Sequence, residues 1–327
     1  MDVLLAIFSI TTLSSVLSAS APLIFAVLGE TLSERAGVIN LSVEGSMMMG
    51  AMVGFAVAET TGSLVLGFLG AMLIGAALAL IVAVGSITLK RDQVAIGFVL
   101  ALVGIELSSF LGTPWVRIPG PAVRSLPIPF LVEIPIIGPL FFDHDIVTYL
   151  SLLLIGVMWV WFYRTQPGLK LRATGERPEA SFARGVNVIR LRYLYTLLGG
   201  ALIGFGGAAF SLHVKLGWSY RHTEQFGWIA LAIVIFGGWH PVRASFGAYL
   251  FGLLRALATT LQAEIPSVPV QVFPLLPFPL MILTLVLFNS QSMDRLLRYL
   301  PLRVRRTMAG FLRTQPPAGL GEHFQQD

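Results

Sequence analysis

The chain has 327 residues, of which 55% are hydrophobic and only 12% charged, about half the usual soluble share of roughly 25%. A mean hydropathy of +0.80, with 22 Phe and 6 Trp, excludes both an ordinary water-soluble enzyme and a disordered chain. The lack of cysteine excludes a disulfide scaffold, a thiol nucleophile and thiolate metal sites, and the net charge of +5 does not point to nucleic acid, because the basic residues gather in short loops between apolar runs. The pattern is that of an all-α, polytopic helical membrane protein with about 8–10 transmembrane helices, some short or broken, embedded in a lipid bilayer.

About 20 apolar residues cross roughly 30 Å of hydrocarbon. The first such run, 3–28, has no basic leader and no small-residue cleavage site, so it reads as a span and not as a removed signal. The next stretch, Leu28 to Gly45, mixes Gly29, Gly37 and Gly45 with Glu30, Glu34, Arg35, Asn40 and Glu44. It is too apolar for a plain loop and too polar for a plain span, which predicts a partly unwound or re-entrant segment. Polar groups inside a membrane pair or line a cavity, which makes Asn40 and Glu44 candidate pathway residues. The other reading is that Glu44 starts the next helix at the interface.

Further spans are predicted at 46–60, 63–88 and 93–112, the first opening on Met47, Met48 and Met49, which offer adaptable packing. Gly50 and Gly54, like Gly200 and Gly204, have the spacing that lets helices approach closely. Glu106 falls mid-span in 93–112 and Arg255 mid-span in 244–262. A lone charge at a helix centre costs about 2.5–3.5 kcal/mol, so each should face protein or water, in a structural pair with the other or on a translocation pathway. Between spans lies 113–145, with seven prolines and Glu133, Asp143 and Asp145, predicted to be an extended, stiff external segment.

After a span at 146–163, the segment 164–192 carries seven basic residues. Pro178 suits a first helical turn and Gly185 a helix stop, predicting a short helix over about 178–184 with Phe182 at its centre. It reads either as a docking element for another protein or as a charged linker that sets topology. Runs at 193–212, 226–238, 244–262 and 276–289 complete about nine crossings, ending with six basic residues between 295 and 313. By the positive-inside rule the basic face and the C-terminus are cytoplasmic. Residues 1–313 form one transmembrane domain, and the polar stretch 314–327 is expected to be a disordered cytoplasmic tail.

Enzyme signatures are missing. There is no Gly-rich phosphate loop ending in Lys-Ser/Thr, no Gly-x-Ser-x-Gly, and the five histidines have no metal-ligand spacing. Hence no catalytic residue, metal or cofactor is assigned to this chain.

Several pieces together resemble the membrane permease subunits of ABC importers in the ribose/galactose/branched-chain amino-acid class. They are Glu34-Arg-Ala-Gly-Val-Ile-Asn-Leu-Ser-Val-Glu-Gly45, Leu171-Arg-Ala-Thr-Gly-Glu176, Gly185-Val-Asn-Val-Ile-Arg-Leu-Arg-Tyr193, Gly227-Trp-Ile-Ala-Leu-Ala-Ile-Val-Ile-Phe-Gly237 and Trp239-His-Pro-Val-Arg-Ala244. Within that class the chain is most similar to the simple-sugar and nucleoside permeases that work with basic-membrane-protein-type lipoproteins. The resemblance implies a multi-pass protein of the bacterial cytoplasmic (inner) membrane, importing a nucleoside or related simple-sugar-type solute by alternating access. A ribose-type sugar or a branched-chain amino acid is the alternative cargo within the class, and an ion-coupled secondary carrier the alternative outside it. It also implies partners: ATP-binding subunits that hold the ATP and Mg, a second, paralogous permease, and an extracytoplasmic solute-binding lipoprotein. The family's coupling motif maps to Glu179, Ala180, Ser181 and Gly185, with Phe182 inside it and the whole coupling segment at about 174–188. Ser181 departs conservatively from Ala, and His240 stands where the family often has Asn.

Overall fold

The computed structural model describes residues 9–223, 225–264 and 315–324, with isolated positions between 269 and 282. Among these residues the helices are α1 (Ile10–Arg35), α2 (Val43–Thr61), α3 (Leu64–Ala83, continued by a π-helical turn Val84–Thr88), α4 (Gln93–Leu111), α5 (Ile137–Phe141), α6 (Ile146–Arg164), α7 (Gln166–Glu176), α8 (Pro178–Ala183), α9 (Val188–Ala209, continued by a π-helical turn Phe210–Val214), α10 (Phe226–Phe236) and α11 (Pro241–Glu264). Side chains that compete for backbone hydrogen bonds sit at several helix starts, where that competition is useful. Ser9 accepts from Thr12 N, Asp92 from Ala95 N, Asp145 from Val147 N and Thr148 N, and Asn187 from Arg190 N.

Six stretches are long and apolar enough to cross a membrane: α1, α3 with its π turn, α4, α6, α9 with its π turn, and α11. α2 has 19 residues, and Glu44, Ser46 and Glu59 lower its hydropathy. The run at 226–238 is not a full span. α10 has 11 residues, about 16 Å at 1.5 Å per residue, roughly half the hydrocarbon thickness. The span predicted at 276–289 lies outside the described residues.

α9 is the centre of the bundle, packed against α1, α2 and α3. Lipid tails are as apolar as leucine, so burial gives helices little reason to associate, and close backbone packing takes its place. The glycines of α9 permit it. Gly199 meets Gly29 of α1, a Cβ on Gly50 of α2 would stand 2.5 Å from the Gly204 carbonyl, and Gly200 lies against Gly75 of α3. Gly45 and Gly104 join α2 to α4 in the same way. The outer faces of α3 and α4 expose Leu73 (71%) and Phe110 (77%), as lipid-facing surfaces should.

The stretch 113–145 is mostly irregular, with one short 3₁₀ turn (Thr113–Trp115) and α5 as its helices, and bridges pairing Val116 with Trp218 and Ser125 with Asp145. The expected disordered tail is corrected for 315–324. Gly319 N donates to Gly175 O (2.8 Å), Gly321 N to Gly37 O (3.1 Å), and buried Arg192 donates to Glu322 O (2.8 Å) and Gly319 O (3.4 Å). The physical reason is that its backbone carbonyls and amides find hydrogen-bond partners while Leu320 and Phe324 pack against the bundle.

Gly204→Val should lower the thermal midpoint of the detergent-solubilised protein strongly, by more than the usual overpacking cost of about 1–3 kcal/mol, because the neighbour is backbone and cannot move aside. Gly156→Val, at a glycine where an added Cβ would meet nothing within 4 Å among the described residues, should leave the midpoint unchanged. Equal midpoints for the two variants would refute the packing account.

Candidate functional site

The C-terminal end of α1 is the first element. Glu30 and Glu34 are buried and Arg35 follows at the helix end. Gly37, at φ +92°, turns the chain in a conformation that favours glycine, and 36–42 is an unwound stretch between α1 and α2. Asn40 is fully buried. Its N–H donates to Glu30 Oε1 (3.1 Å), and its Oδ1 accepts from Ser42 N (3.2 Å) and Ser42 Oγ (2.6 Å). The neighbouring Ile39 N donates to Gln93 Oε1 (2.8 Å), fastening the segment to the start of α4.

Arg35 reaches across to the turn that ends α10. Its Nε donates to Trp239 O (2.8 Å) and its Nη2 to Gly238 O (3.4 Å), while the Trp239 indole donates to the Glu34 carboxylate. Thus two of the five sequence pieces, 34–45 and 239–244, are parts of one clamp. The same arginine pairs with Glu176 at 3.4 Å, a half-exposed contact that contributes little stability by itself.

Glu44 joins the other end of α10. Only 1% exposed, it sits in the first turn of α2 and accepts from Gln225 N (2.8 Å), Gly227 N (2.7 Å) and Trp228 N (3.2 Å). These are amides at the N-terminus of α10, which a helix cannot satisfy internally. Glu44 therefore caps a helix distant in sequence as well as beginning its own.

The third element is the charged surface between α6 and α9. Pro178 opens α8 and Gly185, at φ +80°, follows its end. Ser181 is buried, whereas Glu179, Ala180, Phe182 and Gly185 are exposed. A groove of about 620 Å³ runs beside them, lined in part by Lys170, Glu176, Arg177 and Arg184. The 315–324 segment braces this surface from the other side. Phe324 meets the Phe182 ring edge-to-face at 5.6 Å, and Ala318 N donates to Glu176 Oε2 (3.3 Å).

Arg255 and Glu106 are not brought together. Glu106 is exposed on α4, and no ion pair joins the two among the described residues. Arg255 instead places its guanidinium 4.8 Å from the centre of the Phe226 ring, beside a cavity of about 430 Å³ between α1, α10 and α11. Asn40, Glu44 and Glu106 are not among the residues lining that cavity. No group of three metal-ligating side chains occurs among the described residues.

Sequence reasoning missed the clamp, the tail contacts and the setting of His240. His240 stacks on Tyr163 at 5.0 Å, and Arg172 lies over the same tyrosine at 4.8 Å. Burial, helped by the Arg243 and Arg35 charges, lowers the imidazole to about 4. No pattern in the sequence announces these partners, which lie some 70 to 200 residues away.

A polytopic helical membrane protein with a half-length helix pinned at both ends is the class that this fold and site define. The chain belongs to the family described as branched-chain amino acid transport system / permease component, whose model matches residues 12–285. It is 41% identical over 260 residues (78% of this chain, 79% of the relative) to the "Putative glucose ABC transporter permease protein" of Haloferax volcanii. It is 32% identical over 290 residues (84% and 90%) to the guanosine ABC transporter permease protein of Bacillus subtilis. A nucleoside ABC transporter permease protein of Lactococcus lactis is 32% identical over 288 residues (84% and 90%). No solved structure matches the chain.

Glu44→Gln puts an amide where three backbone N–H groups need a carboxylate, and should cost at least about 2 kcal/mol of stability, since hydrogen bonds to charged groups contribute about 1.5–3 kcal/mol each. A thermal midpoint within 1 °C of wild type would contradict the capping role. His240, lowered to about 4 in the fold, binds fewer protons there than in the unfolded chain between pH 6.5 and 4. Its contribution should be complete above pH 6.5 and be lost as pH falls towards 4, so His240→Asn should flatten the fall in thermal midpoint over that window. An unchanged slope would contradict it.

Proposed function

We propose that this chain is the membrane permease subunit of an ATP-driven ABC importer, carrying a nucleoside or a related simple-sugar-type solute by alternating access. The observation that carries the reading is α8: a short, proline-started, glycine-stopped helix whose buried Ser181 anchors it while Glu179, Ala180 and Phe182 face outward. A rigid exposed helix is suited to sit in a groove of another protein and pass on its motion. In this reading the basic face is cytoplasmic and ATP-binding subunits, holding ATP and Mg, engage α8 from below. A second, similar permease completes the channel, and an extracytoplasmic solute-binding lipoprotein delivers the cargo. The cargo assignment is supported by relatives whose names specify guanosine and nucleosides, and the glucose-named relative supports a sugar as the second reading.

Closure of the nucleotide-binding subunits has to favour one state of the bundle by several kcal/mol to switch access fully. The path for that work runs from α8 through α7, where Glu176 contacts Arg35, to the clamp on Trp239 and so to α10. Glu179→Arg reverses a charge on the exposed face, and Gly185→Pro removes a φ of +80° that proline cannot adopt. Each should reduce ATP-driven uptake by proteoliposomes at least tenfold while the protein still inserts and purifies as a single species. Uptake at the wild-type rate would overturn the coupling role of α8, and uptake without ATP would overturn the importer reading itself.

A further inference from the structure

We propose that the cavity between α1, α10 and α11 is the cargo site and is built for a nucleoside, with Arg255 and Phe226 taking the base and the hydroxyl-bearing walls taking the ribose. The proposal rests on the importer reading above and deepens it by locating the cargo site and the residues that recognise it.

The cavity, about 430 Å³, falls within the roughly 300–1,000 Å³ typical of small-molecule sites. Phe226 is the first residue of the half-length α10, so its ring lies at the start of that helix. Half-length helices are where transporters commonly build solute sites.

Arg255 is the strongest evidence. It lies in the middle of a span and is exposed, yet no carboxylate stands within ion-pair distance of it among the described residues. A charge so placed is expensive against lipid, so this face of α11 borders water or protein. The guanidinium lies over the Phe226 ring at 4.8 Å, and Phe251 meets Phe226 edge-to-face at 6.1 Å, both aromatic residues lining the cavity. The guanidinium fork beside the ring can match two adjacent acceptors on the edge of a purine. Aromatic faces beside it suit a planar base.

The walls supply hydroxyls. Ser15 on α1 and Thr259 on α11 both line the cavity. Ser20 is not available to a ligand: it is 2% exposed, and its Oγ is packed against Gly252 of α11. An amino acid fits less well: its carboxylate would suit Arg255, but none of the described lining residues is an acid to meet the ammonium. A hexose would use the hydroxyls and offer no planar pair of acceptors to the fork.

The test uses the complete transporter, with its ATP-binding subunits, partner permease and saturating solute-binding protein, in proteoliposomes. Uptake of labelled guanosine, glucose and leucine is measured for wild type, Arg255→Lys and Phe226→Leu. The expected result is ATP-driven guanosine uptake by wild type that falls at least tenfold in Arg255→Lys, which keeps the charge and loses the fork. Guanosine uptake unchanged in both variants would overturn the site while leaving the importer reading intact. Wild-type uptake of glucose or leucine but not guanosine would overturn the nucleoside assignment. No ATP-driven uptake of any of the three would overturn the importer reading on which the proposal stands. Should the variants fail to fold, photolabelling of the wild-type complex with 8-azidoguanosine decides: label on peptides containing Phe226 or Phe251 supports the site, and label elsewhere overturns it.

Discussion

A helix that begins partway through a bilayer presents amide groups for which lipid offers no partner, and the rest of this fold depends on how that demand is met. Here a single carboxylate, Glu44, accepts three of the amides at the start of α10. Because Glu44 belongs to the first turn of α2, the cap also fixes where α2 stands relative to α10. At the far end of α10, Arg35 and Glu34 hold the Gly238–Trp239 turn. A half-length helix is thereby tied to α1 below and α2 above, and the cavity opens beside its first residue.

The rest of the bundle gives this arrangement a rigid frame. Glycines on α9 let three neighbouring helices approach to backbone contact, which replaces the hydrophobic association available in water. Against that frame the basic surface is built as a set of braced pieces: α7 on Arg35, α8 on its buried Ser181, and 315–324 across Gly37, Gly175 and Arg192. α8 is thereby connected through α7 and Arg35 to the end of α10, and Phe226 at the start of α10 lines the cavity.

Much of this was legible in the sequence. Length and apolar periodicity give the long helices, and Pro178 with Gly185 give α8 almost to the residue. The polarity of 28–45 was enough to predict a partly unwound or re-entrant segment, because no span tolerates Asn40 and Glu44 without partners. What composition could not supply was the identity of those partners, since Gln225 to Trp228 lie some 180 residues from Glu44 and no local pattern encodes the meeting. The run 226–238 reads as a shorter stretch ending at Gly237 and Gly238, and α10 stops at Phe236 just before that pair. The tail misled for the opposite reason: its polar composition suggests a solvated end, but its backbone, with Leu320 and Phe324, makes the contacts.

The most direct test of ATP-coupled transport uses the absence of cysteine from the chain. A single Ala180→Cys on the exposed face of α8, in the complex purified from native membranes, can be joined by a short bifunctional reagent to whatever sits beneath it. The account predicts a cross-link to an ATP-binding subunit whose yield changes when ATP is added. A cysteine that reacts freely with a maleimide in the intact complex, and cross-links to no ATP-binding subunit, would contradict it.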